Sequence, residues 1–306
     1  GNILGISNLG INSEGNYYER LNYAIGEKFE PGSTFKLMSL IAALEDGIIE
    51  HTDSVDTKNG ILKIENKYEI KDSNNKGYGK ITFAKAFEVS SNTGMVKMIY
   101  DNYESKPERF VNRLYNMRLN EKINTPIGGE PLPIMPHPSD EGWNKISLPW
   151  MVYGYGVYLT PIQILTFYNA VANNGEMVRP KFVNKISSIG NKPIHEIERE
   201  VIMPSICSQK TLDVVKEMLE NVVQKPWGTG NIIHNDYVKI AGKTGTHQGF
   251  REAWFIGFIP QYTSSVWIGF AEEQLPLTNV EINGEVVSSV SGGIFSSSRF
   301  NSGSNL

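Results

Sequence analysis

Ser33 and Lys36 stand three residues apart where Pro31-Gly32 announces a helix start. That spacing puts both side chains on one helix face, about 5–6 Å apart at Cβ. An amine so placed can take the proton of the hydroxyl and make the serine a nucleophile for acyl transfer. A serine at a helix start also faces unpaired backbone N–H groups and the positive pole of the dipole, which favour a developing anion. To act as a base near pH 7, Lys36 must give up a reference pKa near 10.4, at a cost of roughly 4.6 kcal/mol. Burial can shift a lysine that far, and a second cation nearby pushes the same way.

Two further groups could serve such a reaction. In Lys243-Thr244-Gly245-Thr246, read as an edge strand, the lysine supplies charge and the threonines supply hydrogen bonds. Gly245 is expected there to let a substrate backbone approach closely. Gly242-Lys243-Thr244 also imitates the end of a phosphate-binding loop. That loop needs a glycine where Tyr237 stands and a helix where a strand follows, so the nucleotide reading is excluded. Ser90-Ser91-Asn92 lies between two helical segments, where hydroxyl and amide groups could relay a proton and orient a bound amide. Singly, each group has a plainer meaning: an N-cap serine with a surface lysine, a turn, a helix stop.

The elements that must position these residues are readable in outline. Residues 33–46 are apolar on nearly every face, which predicts a central buried helix stopped by Gly47. A polar hairpin-like region from Lys58 to Lys80 leads to a helix opening at Thr82, and another follows from Thr93. Residues 120–150 are rich in Pro and Gly and read as a long ordered loop. Thr160-Pro161-Ile162-Gln163 predicts a capping box with Pro at the first helical position, on a helix ending at Asn174-Gly175. A further helix begins near Ser208. The stretches YVKIAGKTGT, AWFIGFIP and SSVWIGFAE predict an antiparallel sheet, and Asn283-Gly284 predicts one more hairpin. Residues 2–8 read as a strand expected to join that late sheet. Strands at both ends with helices between them indicate one α+β domain over residues 1–295, followed by a Ser/Asn-rich tail at 296–306 expected to be disordered.

Composition narrows the classes. The 306 residues are 40% hydrophobic and 20% charged, as in a globular chain, and the net charge of −4 without a basic stripe speaks against nucleic acid. Cys207 is the single cysteine, so it can form no internal disulfide and reads as a small buried side chain. The histidines form no metal-binding pair, so neither a metal nor any other cofactor is expected. No apolar run approaches the roughly 18 residues of a membrane span. The chain starts directly on a strand-like Gly-Asn-Ile-Leu, the reading expected of an excised domain whose targeting segment lies upstream.

Together and in order, STFK, SSN and KTGT resemble the signature of penicillin-binding proteins and active-site serine β-lactamases. EPGSTFKLMSLIAALEDG, YGVYLTPIQILTFYNAVANNGEMVRP and AGKTGTHQG with AWFIGFIP are similar to class B penicillin-binding proteins, closest to the division-type (septal) members. The resemblance runs to about Phe270. It implies a β-lactamase/D,D-peptidase-like fold, with a five-stranded antiparallel sheet flanked by helices and an all-helical subregion. It also implies a D,D-transpeptidase acting on peptidoglycan stem peptides ending in D-Ala-D-Ala and inhibited by β-lactams. Ser33 would attack and Lys36 accept its proton, while the backbone N–H groups of Ser33 and Thr246 form an oxyanion hole. Lys243, Thr244, Gly245 and Thr246 would hold the substrate and its carboxylate. Ser90 would pass a proton to the leaving amine, and Asn92 would bind the substrate amide and Lys36. The implied setting is the periplasmic face of the membrane, with an anchor, a separate glycosyltransferase and division proteins as partners. The family's closing C-terminal helix has no counterpart in the Ser-rich ending from Ser288.

Two alternatives stay open on sequence. A serine β-lactamase shares two of the motifs, but the chain has no Glu-x-x-Leu-Asn to activate water, and it carries Ser-Ser-Asn where another class has Ser-x-Val. A β-lactam sensor or non-catalytic penicillin-binding module would share the nucleophile, and the intact set of motifs argues against a lost site.

Overall fold

The computed structural model describes residues 1–19, 21–246, 252–269, 280–282 and 285–287. The chain opens with a hairpin, β1 (Leu9–Ile11) and β2 (Tyr17–Glu19), and a single helical turn, α1 (Tyr23–Gly26). The buried helix follows as a 3-10 turn, Gly32–Phe35, continuing into α2 (Lys36–Glu45). Every residue from Thr34 to Ala43 is buried. Even Ser39 finds its partner inside, donating to Val152 O at 2.9 Å. Gly47 then takes φ +64 past the helix end, as its place in the sequence predicts.

The polar region is a pair of nested hairpins. β3 (Ser54–Asp56) pairs with β6 (Lys80–Thr82), and β4 (Ile61–Ile64) pairs with β5 (Tyr68–Lys71) between them. Thr82 caps α3 (Phe83–Glu88) by accepting from Lys85 N, and Ser91 caps α4 (Asn92–Tyr103) by accepting from Gly94 N. α5 (Pro107–Asn116), which the reading of the sequence did not single out, buries Phe110, Val111 and Leu114. The long loop expected at 120–150 ends in a short helix, α6 (Ser147–Val152). The buried Glu130 anchors that loop, accepting from Ile123 N at 2.7 Å, Thr125 N at 3.3 Å and Gln163 Nε2 at 3.0 Å. Gln163 is also the capping-box residue of α7 (Pro161–Ala172), so one side chain fixes both helix start and loop.

Two small pairs follow, β7 (Met177–Val178) with β10 (Val201–Met203) and β8 (Lys185–Ser187) with β9 (Pro193–Glu196). α8 (Gln209–Gln224), capped by Ser208, buries Leu212, Val215, Leu219, Val222 and Val223 and packs on the late sheet. That sheet is β11 (Ala241–Thr246), β12 (Glu252–Phe258) and β13 (Thr263–Gly269), antiparallel and in sequence order, with α7 against β12 and β13. β14 (Val280–Ile282) and β15 (Glu285–Val287) pair with Ile282 opposite Glu285, and Asn283-Gly284 lies outside the described residues. Phe270, the Ser-rich ending and the tail at 296–306 lie outside the described residues.

The α+β class and the helix-flanked antiparallel sheet are as expected. The first strand is not. Residues 2–8 make one isolated bridge, Asn2 to Lys181, and β1 pairs with β2 rather than with β13. Among the described residues the central sheet consists of three strands, and the first strand is not one of them. Local polar bonds explain the change. Asn12 Oδ1 accepts from Glu14 N and Asn16 N and closes the β1–β2 turn, while Asn8 Oδ1 accepts from Ala24 N at 3.0 Å. A contact a few residues away costs less chain entropy than one across the whole domain. Cys207 is buried, as expected, and burial pushes its thiol up to about 12.

The carboxylate of Asp46 fastens the far end of α2. It accepts from Tyr103 Oη at 2.9 Å, Arg109 Nε at 3.1 Å and Arg113 Nε at 2.8 Å. Asp46→Ala should cost about 2 kcal/mol, because charged hydrogen bonds of this kind are worth about 1.5–3 kcal/mol each and both arginines are partly solvated. Urea unfolding measures this; a change below about 0.5 kcal/mol would show the cluster to be neutral.

Candidate active site

The 3-10 turn that carries Ser33 is held on three sides. Thr34 Oγ1 donates to Pro31 O at 2.7 Å, Tyr168 Oη on α7 donates to Thr34 O at 2.8 Å, and Gly32 N donates to Gly154 O at 3.3 Å. Gly32 at φ +52 and Gly154 at φ +87 meet backbone to backbone, and a Cβ on Gly154 would collide with Gly32 O. Ser33 itself is half-buried, and its hydroxyl makes no hydrogen bond among the described residues.

β11 runs against this turn. A Cβ added to Gly32 would lie 3.3 Å from Thr246 O and 4.0 Å from Thr246 N. At Gly245 the structure corrects the sequence expectation. A Cβ there would come 2.8 Å from Thr34 Cγ2 and 3.0 Å from Trp254 Cβ. The space belongs to the protein's own side chains, so the missing Cβ brings the strand onto the turn of Ser33 rather than making room for substrate.

Lys36 is fully buried one helical turn beyond Ser33. Its Nζ lies 2.6 Å from Asn92 Oδ1, 2.7 Å from Ser90 O and 3.2 Å from Ser90 Oγ. A neutral amine has two N–H bonds, which the two short contacts use, and a lone pair that can receive the Ser90 hydroxyl. Ser90 Oγ in turn accepts from Lys243 Nζ at 2.8 Å, and Lys243 also donates to Thr244 O at 3.0 Å. The SSN and KTGT groups thus meet at one hydroxyl. Burial pulls the Lys36 ammonium from 10.5 down to about 7, against the opposing pull of Asp72. That fall is worth about 5 kcal/mol of lost preference for charge. Lys243, also fully buried, is lowered well below its usual value by burial and then by the charge of Lys36. It is the second buried lysine of the site, joined to Lys36 through Ser90 Oγ.

Ser90 occupies φ +56, a left-handed conformation rare for serine, and this turns its carbonyl and hydroxyl together onto Lys36. Asn92 Nδ2 donates to Lys71 O at 2.8 Å, so its amide is held by the end of β5 as well as by Lys36. Thr244 is nearly buried and shares a hydrogen with Thr229 Oγ1 at 2.7 Å. Sequence reasoning missed Tyr168, Gly154, Thr229 and Asp72, each distant in the chain from the motif it supports. The first glycine in Tyr153-Gly154-Tyr155-Gly156 is an ordinary loop signal, and a lone threonine or aspartate gives none.

The sequence profile of the penicillin binding protein transpeptidase domain matches residues 1–289. Penicillin-binding protein PbpB of Mycolicibacterium smegmatis is 28% identical over 255 residues, covering 82% of this chain and 37% of that protein. Peptidoglycan D,D-transpeptidase FtsI of Buchnera aphidicola is 26% identical over 249 residues, covering 78% of this chain and 40% of that protein. The chain therefore spans about two fifths of the length of these relatives. Among solved structures, penicillin binding protein 3 of Mycobacterium tuberculosis complexed with aztreonam superposes with a TM-score of 0.73 at 24% identity, over 90% of this chain and 62% of that one. The D,D-transpeptidase domain of a peptidoglycan glycosyltransferase from Eggerthella lenta gives 0.71 at 26% identity, over 78% and 59%.

The protonation of Lys36 sets a pH dependence. Its amine must be neutral to take a proton, so labelling by a fluorescent penicillin should rise with pH through about 7 and level off above it. Below that point the rate should fall about tenfold per pH unit. A rate flat between pH 5 and 9 would contradict the role of Lys36.

Proposed function

The chain belongs to the penicillin-binding protein transpeptidase domain family, and from that membership we propose that it is a peptidoglycan D,D-transpeptidase acting through a Ser33 acyl-enzyme. The observation that carries this reading is the buried Lys36 amine, one turn from Ser33 and joined through Ser90 Oγ to Lys243. A structural lysine gains nothing from being held dry beside a second lysine. A base does, since burial removes its proton near neutral pH.

Ser33 Oγ attacks the carbonyl between the two D-alanines of a stem peptide, and its proton passes to Lys36. The backbone N–H groups of Ser33 and Thr246 stabilise the oxyanion, supported by the approach of Thr246 to Gly32. Donors of this kind contribute about 2.7–4 kcal/mol each. Lys243, Thr244 and Thr246 hold the terminal carboxylate, and Gly245 lets their strand lie against the nucleophile. When the C–N bond breaks, the proton on Lys36 reaches the leaving D-alanine amine through Ser90 Oγ. That hydroxyl gives one proton and takes one, so no charge is left on it. Asn92 keeps the amine of Lys36 aimed during both transfers. An amine on a neighbouring stem then attacks the ester and loses its proton to Lys36. The C–O bond to Ser33 then breaks, Lys36 returns the proton to Ser33 Oγ, and the new amide closes a cross-link.

A β-lactam presents the same carbonyl-and-carboxylate pattern and would be trapped at the ester stage. The substrate lies outside the cytoplasmic membrane, so the domain works there. Among the described residues no helix is long and apolar enough to cross a membrane. The division-type relatives suggest work at the septum beside a separate glycosyltransferase. The β-lactamase alternative shares the serine and the KTG motif but lacks the Glu-x-x-Leu-Asn that would activate water.

Intact-protein mass spectrometry after penicillin treatment tests the assignment. A stoichiometric, drug-sized mass increase is expected in the native protein and none in Ser33→Ala. An increase that persists in the variant would defeat the role of Ser33, and rapid loss of the adduct with steady drug turnover would indicate a β-lactamase.

A further inference from the structure

The buried acid on which the Ser90–Asn92 turn is built belongs to none of the three motifs. Asp72 directly follows β5 and is 1% exposed. It accepts from Ser91 Oγ at 3.0 and 3.1 Å, from Thr93 N at 2.9 Å and from Thr93 Oγ1 at 2.8 Å. Ser91 and Thr93 flank Asn92, and Ser91 adjoins Ser90, so the carboxylate grips the chain on both sides of the two residues that touch Lys36. The grip opposes a cost, because a left-handed non-glycine residue such as Ser90 is strained. The neighbouring Lys71 O completes the clamp by accepting from Asn92 Nδ2.

Charge gives Asp72 a second effect. Burial draws the proton off Lys36, and Asp72 is the group that pulls the other way. The remaining charged and titratable groups around the pocket do not replace it. Lys243 on β11 shares the Ser90 hydroxyl and carries the same sign as Lys36. Tyr78, between the hairpins and α3, has its phenol raised by burial and by Asp72, so it stays neutral. Glu88 on α3 is taken by Asn221 Nδ2 and Trp227 Nε1, both at 2.8 Å. Lys71 is exposed and paired with Glu69.

We propose that Asp72 is a positioning residue of this site: it clamps the Ser90–Asn92 turn onto Lys36 and brings a negative charge to bear on that amine. The proposal rests on the transpeptidase reading, and the two can fail separately.

Two variants divide position from charge. Asp72→Asn keeps the shape and an acceptor oxygen for Thr93 N–H and Ser91 Oγ, but removes the charge. Its acid limb of penicillin acylation should move about one pH unit lower, the direction expected when an anion near a lysine is lost. Thr93→Val keeps the charge and removes one bond of the clamp. It should acylate several-fold more slowly at every pH, with the limb unmoved. An Asp72→Asn limb that coincides with the wild-type limb overturns the proposal. If Asp72→Asn does not fold, an unchanged rate in Thr93→Val overturns it instead, and slowing with an unmoved limb supports it. A native protein that penicillin does not label at Ser33 defeats the transpeptidase reading and this proposal with it. Labelling with an unmoved limb defeats the role of Asp72 alone.

Discussion

Taking one ammonium group out of water is the constraint on which the rest of this structure depends. Lys36 sits inside a helix that has no solvent face, and that helix is enclosed by α5, α8 and the 3-10 turn before it. A lone cation there would be intolerable, and an unbonded amine costly. The chain meets both conditions with oxygen atoms from elsewhere. Ser90 and Asn92 supply the acceptors for Lys36, and Ser90 accepts from the second lysine, Lys243. The result is an amine whose proton affinity is set by the fold rather than by its own chemistry.

Backbone geometry makes that arrangement possible. Ser90 is held left-handed, Gly32 and Gly154 touch without side chains, and Gly245 lets β11 lie against Thr34. Each strained or side-chain-free position brings a carbonyl, an amide or a strand closer to the nucleophile than an ordinary residue would. Strain of this kind persists only where surrounding contacts over-determine it. Here those contacts are the Asp72 clamp, the Tyr168 bond to Thr34 O and the sheet register that sets Thr246 opposite Ala253.

Much of this was legible in the chain. Thr82, Thr160 with Gln163, and Ser208 mark helix starts because capping is local chemistry, readable within four residues. The continuous apolar run after Ser33 tells of burial for the same reason. The three motifs point to one site because their combination is rare, although each alone is ordinary. What was not legible depends on distance or competition. Nothing near Asp72 or Thr229 indicates that they meet Ser91 or Thr244 in the folded chain. The short apolar run of residues 2–8 states a capacity to form a strand but not which partner wins, and the asparagines beside it favour a local turn. Gly245 shows a subtler limit, since the sequence announces a close approach without saying what approaches.

The central claim is that Lys36 loses its proton near pH 7 because it is dry. Carbon-detected NMR of the Lys36 Cε, assigned by comparison with Lys36→Met, titrates that amine directly in the unliganded protein. A midpoint near 7, well below the surface lysines at about 10.4, is the result this account predicts. A midpoint above 9 would contradict it, since the amine would then hold its proton and could not serve Ser33 as a base.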